Sequence, residues 1–251
     1  MNIKYLVAAA LSISSFCLAD TPAPENGNWN TGWEAKEITD DGITTTCREH
    51  KTELNECKFE LETDLSVRSL IALNTDIDNL KRWMANVMTS ENVAPSPSNA
   101  DYHAYVTYAF PGAISRDSIT HGVVTSDPET QAVTLTFTSD HKNTSKPKEL
   151  SKHFRFPFVK GSWIFTPLAS GKTKIEYTNI GIPGGYVQKF MKTIYNLGAY
   201  DASMKTVRDM LEIAKESQYQ NAVVDYVTLP DRERRTLQMP CLDKDKTAST
   251  C

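Results

Sequence analysis

A guanidinium, a carboxylate and an imidazole stand close together in this chain, at Arg116, Asp117 and His121. Groups of these kinds move protons or hold the charged part of a ligand. Side chains alternate along an extended strand, so Arg116, Ser118 and Thr120 share one face while Asp117, Ile119 and His121 share the other. Only one of these sets can face an interior. Arg116 and Asp117 can equally satisfy turn backbone and each other, and nothing adjacent in sequence marks His121 as a base or a ligand. The chain carries no GxSxG, HExxH, phosphate-loop or dinucleotide-binding motif. It reads as non-enzymatic and calls for no cofactor.

The start of the chain bears on its cysteines. Lys4, the apolar run at 6–18 and the small-residue site ending at Ala19 have the form of a signal peptide, so residues 1–19 are expected to be removed. The protein is then exported, periplasmic or secreted. Beyond Cys17 the chain has Cys47, Cys57, Cys241 and Cys251, an even set that suits disulfides in an oxidising compartment. Three pairings are possible. Cys47–Cys57 and Cys241–Cys251 are favoured because each closes a short local loop. Without a CxxC spacing or a nearby pair of histidines, no metal site is expected. A net charge of −4 disfavours nucleic acid as a partner.

The elements that must position these residues are largely β. Residues 33–39 and 43–48 read as a hairpin about Asp40-Asp41-Gly42, and 58–65 as a half-buried third strand. Two short helices follow. Ser66 caps one, and Thr75 caps another that carries Ile77, Leu80, Trp83, Met84 and Val87. Residues 92–99 read as a loop. Strands are expected at 102–110, from 114 onward, at 132–138, as a pair at 153–159 and 162–168 around Lys160-Gly161, and at 172–180. A long helix at 185–217 carries Val187, Phe190, Met191, Ile194, Leu197, Met204, Val207 and Leu211, with Gly198 and Asp201 interrupting that face. The domain is taken as 20–217, followed by a tail at 218–251 with one β-like run at 222–229. The fold class is α+β, with about nine antiparallel strands.

Several segments together resemble START domains, the StAR-related lipid-transfer family. They are the run from Tyr102 to His121 with its Pro111-Gly112 turn and Arg116-Asp117, the run from Gly161 to Leu168 followed by Lys174 to Tyr177, and Ile182-Pro183-Gly184-Gly185-Tyr186-Val187. The resemblance implies a helix-grip fold, a curved antiparallel sheet wrapped around the long C-terminal helix, and binding or transfer of one lipid in an internal cavity. His121-Gly122 stands where several sterol-binding members carry a second buried basic residue, so that head-group contact is not carried over.

The cavity residues expected are Tyr105, Tyr108, Arg116, Asp117, His121, Phe137, Trp163, Tyr177, Phe190 and Ile194. Large apolar side chains with a few polar groups are what line such pockets. The last helix is the expected lid, with Gly181, Gly184 and Gly185 as its hinge. Lys142, Lys146, Lys148 and Lys152 form a basic loop suited to transient contact with a membrane surface. The chain is expected to be a monomer whose partner is a phospholipid, sterol or fatty-acyl lipid. Two other readings stay open. One is a cavity enzyme resembling aromatic polyketide cyclases, with His121 or Asp117 as acid or base; the other is an interaction module with a solid interior.

Overall fold

The computed structural model of the chain describes residues 29–93, 98–110, 113–140, 142–143 and 153–237. The signal segment, Cys241, Cys251, Lys146, Lys148 and Lys152 lie outside the described residues. β1 (Glu34–Ile38) and β2 (Thr44–Glu49) reverse about Gly42, whose φ of +81° suits glycine. β3 (Asn55–Thr63) returns beside β2 and sets Cys47 opposite Cys57. The two form a disulfide, the local pairing expected.

A bridge between residues ten apart in sequence stabilises by restricting the unfolded chain, by about 3 kcal/mol for a loop of this order. Cys47→Ser combined with Cys57→Ser is therefore expected to lower the free energy of unfolding by about 2–3 kcal/mol. A urea midpoint unchanged by the double substitution would refute that contribution.

Ser66 caps α1 (Val67–Asn74), its Oγ accepting the Ser69 N–H at 3.1 Å. The second expected helix is corrected. Ile77–Arg82 is a short 3₁₀ helix following Asp76, and the Thr75 hydroxyl lies 2.6 Å from Tyr226 Oη instead of capping it. Ile77, Leu80 and Trp83 are buried as their spacing predicts, but Asn86 at φ +63° reverses the chain. Val87 thus opens an edge strand, β4 (Val87–Asn92), rather than ending a helix. Its VMTSEN sequence is mostly exposed and lacks the alternation that marks a half-buried strand.

β5 (Asp101–Tyr108) and β6 (Arg116–Ser126) pair antiparallel, with Tyr108 opposite Arg116 and His103 opposite His121. β7 (Val133–Ser139), β8 (Phe154–Arg155), β9 (Phe158–Pro167) and β10 (Thr173–Ile182) follow. The strand pair expected around Lys160-Gly161 is a single strand, β9, which runs straight through both residues. The sheet order is β1-β2-β3-β10-β9-β7-β6-β5-β4, and β8 pairs with β6 in parallel, giving ten strands among the described residues.

The closing helix also differs. α2 (Gly185–Phe190) and α3 (Lys192–Ile213) are separated at Met191, whose φ of −124° leaves the helical range, while Gly198 and Asp201 sit inside continuous helix. In the second half of α3, Met204, Val207 and Met210 are buried against the sheet and α1; in the first half, Ile194 and Leu197 are exposed. One apolar stripe buried along the whole helix was expected, and only its second half is buried.

The run at 222–229 makes no strand. Tyr219 of α4 (Ser217–Gln220), Val224 and Leu229 are nevertheless buried in the core. In α5 (Asp231–Leu237), Glu233 accepts the Val67 and Arg68 N–H groups at 2.8 and 2.7 Å, satisfying the open N-terminus of α1. Among the described residues, no helix is long and apolar enough to cross a membrane.

Candidate ligand cavity

The cavity arises from a mismatch of side-chain sizes. On α3 the residues turned toward the sheet are Tyr195, Gly198, Ala199, Ala202, Ser203 and Thr206, at three- and four-residue spacing. Beyond Tyr195 these are small. They leave unfilled the space that Met204, Val207 and Met210 fill further along. A cavity of about 450 Å³ results, within the range of roughly 300–1,000 Å³ usual for small-molecule sites. The facing walls come from the inward positions of the sheet, among them Val106, Leu135, Phe137, Trp163 and Ile180, and from Phe156 between β8 and β9. Its side against solvent runs along α3, where Ile194 both lines the cavity and is 65% exposed.

Close packing fixes these walls. Gly122 lies beneath the Tyr102 ring, where a Cβ would fall 2.2 Å from Tyr102 Cζ. Trp163 stacks on Tyr177 at 3.8 Å between ring centroids, with Phe59 stacked on Tyr177 as well. Phe110 stacks on Tyr195, whose hydroxyl donates to the Gly181 carbonyl at 2.7 Å and so ties α3 to the end of β10.

Polar groups are few, and several of them gather in one place. Asn179 Nδ2 donates to Tyr177 Oη at 2.6 Å and lies 3.2 Å from Ser203 Oγ, which donates to the Ala199 carbonyl at 2.8 Å. Tyr108 Oη lies 3.3 Å from Ser118 Oγ. Burial pushes the Tyr108, Tyr177 and Tyr195 phenols above the usual range, so all three keep their protons. Among the described residues that line the cavity, none is Asp, Glu, Lys, Arg or His.

Of the residues expected here, Tyr108, Phe137, Trp163, Tyr177 and Ile194 line the cavity. The other five do not. Tyr105, Asp117 and His121 occupy the opposite face of the sheet, because Tyr108 and Thr120 take the inward positions of β5 and β6. There Asp117 is buried and held by Arg155 Nε and Nη2 at 2.7 and 2.9 Å, with the Tyr105 hydroxyl at 3.2 Å. His121 stacks on His103 at 4.6 Å, and its Nε2 lies 2.7 Å from Asp101 Oδ1.

Arg116 belongs to the inward set, but its guanidinium turns away behind Phe110. It lies between the Phe110 and Phe154 rings and donates to the Pro183 and Ile114 carbonyls. Phe190 is 72% exposed and packs on Tyr186. Among the described residues, no group of three or more His, Cys, Asp or Glu is placed to hold a metal ion.

Asn179 and Ser203 were not singled out from sequence. Asn179 follows Tyr177 at the two-residue spacing of one strand face, and that signal was available. Ser203 sits among the small residues of α3, of which only Gly198 stood out in sequence, as an interruption of the apolar face.

No protein-family model matches the chain, and no curated protein matches it in sequence. Its structure is similar to that of a StAR-related lipid transfer protein from Xanthomonas axonopodis, with a TM-score of 0.63 and 18% identity over 73% of this chain and 99% of that one. Human StAR-related lipid transfer protein 5 gives a TM-score of 0.60 and 15% identity over 74% and 88% of the two chains. Human STARD10 gives 0.58 and 17% over 72% and 73%. At these identities the likeness establishes architecture, and the fold of this chain is the helix-grip fold of the StAR-related lipid transfer domains.

Proposed function

We propose that this chain is an exported, non-enzymatic lipid-binding protein that holds one phospholipid, sterol or fatty-acyl lipid and carries it through an aqueous compartment. The observation that carries this reading is the apolar cavity between sheet and α3. Binding removes apolar ligand surface from water at about 25 cal/mol per Å². The proteins with which the chain shares its fold are named for lipid transfer, which supports the same reading.

Release at a membrane surface fits the outer side of the closing helices. Tyr186 and Phe190 of α2, and Ile194 and Leu197 of α3, are all exposed, with Lys189 and Lys192 near them in sequence. Exposed apolar side chains with lysines nearby are suited to a bilayer interface. The cyclase-like alternative required His121 or Asp117 inside the cavity, and both lie across the sheet from it.

Vesicle-to-vesicle transfer tests the proposal. Purified protein is expected to speed the movement of a fluorescent lipid from donor to acceptor vesicles, and Phe190→Glu is expected to slow transfer more than it weakens binding in solution. Transfer no faster than without protein, for sterol, phospholipid and fatty acid alike, would contradict it.

A further inference from the structure

We propose that the ligand of this cavity is uncharged and presents a hydroxyl or carbonyl oxygen to Tyr177, Asn179 and Ser203. The proposal rests on the lipid-binding reading above and narrows it to a chemical class, the neutral lipid alcohols, esters and ketones.

The first ground is the absence of charge. No acidic or basic side chain is found among the described residues lining the cavity. A phosphate, carboxylate or ammonium group drawn inside would lose its hydration without gaining a counter-charge, a cost that a hydroxyl or ester does not meet. The nearby ionic groups are committed elsewhere. Asp117 and Arg155 hold each other on the far face of the sheet. Arg116 donates to two backbone carbonyls behind Phe110 and is not among the residues lining the cavity, and Lys192 pairs with Glu53 outside.

The second ground is the hydrogen-bond inventory of the polar cluster. Asn179 gives one N–H to Tyr177 Oη, so the Tyr177 phenol accepts there and keeps its own hydrogen to donate. Ser203 is the other hydrogen-bond partner within reach of that phenol, so a ligand oxygen would compete with Ser203 Oγ for the hydrogen. Ser203 spends its hydrogen on the Ala199 carbonyl at 2.8 Å, which leaves Asn179 Oδ1, 3.3 Å from Ser203 Oγ, with accepting capacity. One donor and one acceptor thus face the same space. A ligand hydroxyl uses both, and a carbonyl uses the donor alone. The Tyr177 ring is clamped by Trp163 and Phe59, so its hydroxyl has a fixed place.

The same chemistry is offered by a ring alcohol of sterol type and by a diacylglycerol, and binding measurements separate them. Delipidated protein would be titrated with a fluorescent sterol, a fluorescent diacylglycerol, phosphatidylglycerol, phosphatidylcholine and palmitate. At least one of the two neutral lipids is expected to bind about tenfold or more tighter than every charged one. Tyr177→Phe, which removes only the oxygen, is expected to weaken that ligand about five- to tenfold, consistent with loss of one buried hydrogen bond. Ser203→Ala serves as a second variant at the cluster, expected to weaken the same ligand by releasing the Asn179 amide that Ser203 Oγ holds at 3.2 Å. An analogue of that ligand lacking the hydroxyl should bind wild type and Tyr177→Phe alike. Charged lipids that bind as tightly as neutral ones would overturn the proposal while leaving lipid binding intact. So would hydroxyl-bearing ligands that ignore both substitutions in variants with an unchanged thermal midpoint. A protein that binds none of the five would overturn this proposal and the lipid-binding reading together.

Discussion

Gly198→Trp is expected to abolish ligand binding while leaving the domain folded. Gly198 lies within α3 and lines the cavity, and a Cβ added there meets nothing within 4 Å. Gly198 is itself exposed at the open side of the cavity, so an indole here is expected to cover or enter the space that the ligand needs. It displaces no packed side chain at the point of attachment. Glycine inside a helix costs roughly 0.5–1 kcal/mol relative to alanine, so Gly198→Ala should raise stability by about that amount. The two substitutions pull apart properties that usually move together. Gly198→Ala is expected to be more stable with near-normal binding. Gly198→Trp is expected to hold its thermal midpoint and lose binding of a fluorescent lipid by about tenfold or more, since an occluded pocket forfeits most of the ligand's burial. A Gly198→Trp protein that bound lipid like wild type would place the ligand somewhere other than this cavity.

Gly161→Val is expected to do the reverse, breaking the fold before binding can be asked about. A Cβ at Gly161 would stand 2.3 Å from Phe137 Cζ and 2.5 Å from the Thr178 carbonyl oxygen. The phenyl ring has some freedom to move. The carbonyl has little, because Thr178 belongs to β10, which pairs with β9 along its whole length from Thr173 to Ile182. Either the strands part or the ladder loses hydrogen bonds, and overpacking at such a point costs about 1–3 kcal/mol or more. Gly161→Val should fall at or above the upper end, about 3 kcal/mol, read from a urea transition. Gly171→Ala is the control. Gly171 also has an unusual backbone, φ +90°, but has open space around it, so its loss should be smaller, about 1 kcal/mol from backbone strain alone. If the two variants lost equal stability, close approach at Gly161 would not be what that strand requires.

Much of the architecture was legible because local signals agreed. The Gly42 reversal, the Ser66 cap and the Cys47–Cys57 pairing each follow from a few adjacent residues, and each is present. Lys160-Gly161 misled because glycine after a charged residue reads as a turn. Here it answers a steric demand from Phe137 and Thr178, which no neighbour in sequence announces. The choice of face on β5 and β6 was open for a similar reason. Both faces carry aromatic and polar residues, and both are buried, with Asp117 and Ile119 hidden on one side and Ser118 and Thr120 on the other. What buries Asp117 is an ion pair with Arg155, 38 residues away.

The cavity was the least legible feature. Sequence patterns record where large apolar residues recur. A cavity depends on where they are missing; Gly198 reads only as an interruption of the helix face, and Ala199, Ala202 and Ser203 carry no signal of their own. Seen against the sheet, those small residues are what hold the helix over a space without filling it.

The central claim is that this space holds a lipid. Native mass spectrometry of the purified protein, set beside Gly198→Trp prepared in the same way, tests it most directly. Wild type is expected to carry a single adduct of lipid mass, either as isolated or after incubation with sterol, diacylglycerol and phospholipid vesicles, and Gly198→Trp to appear only at the mass of the bare chain. Wild type found only as the bare chain under all of these conditions, or an equal adduct on both proteins, would contradict it.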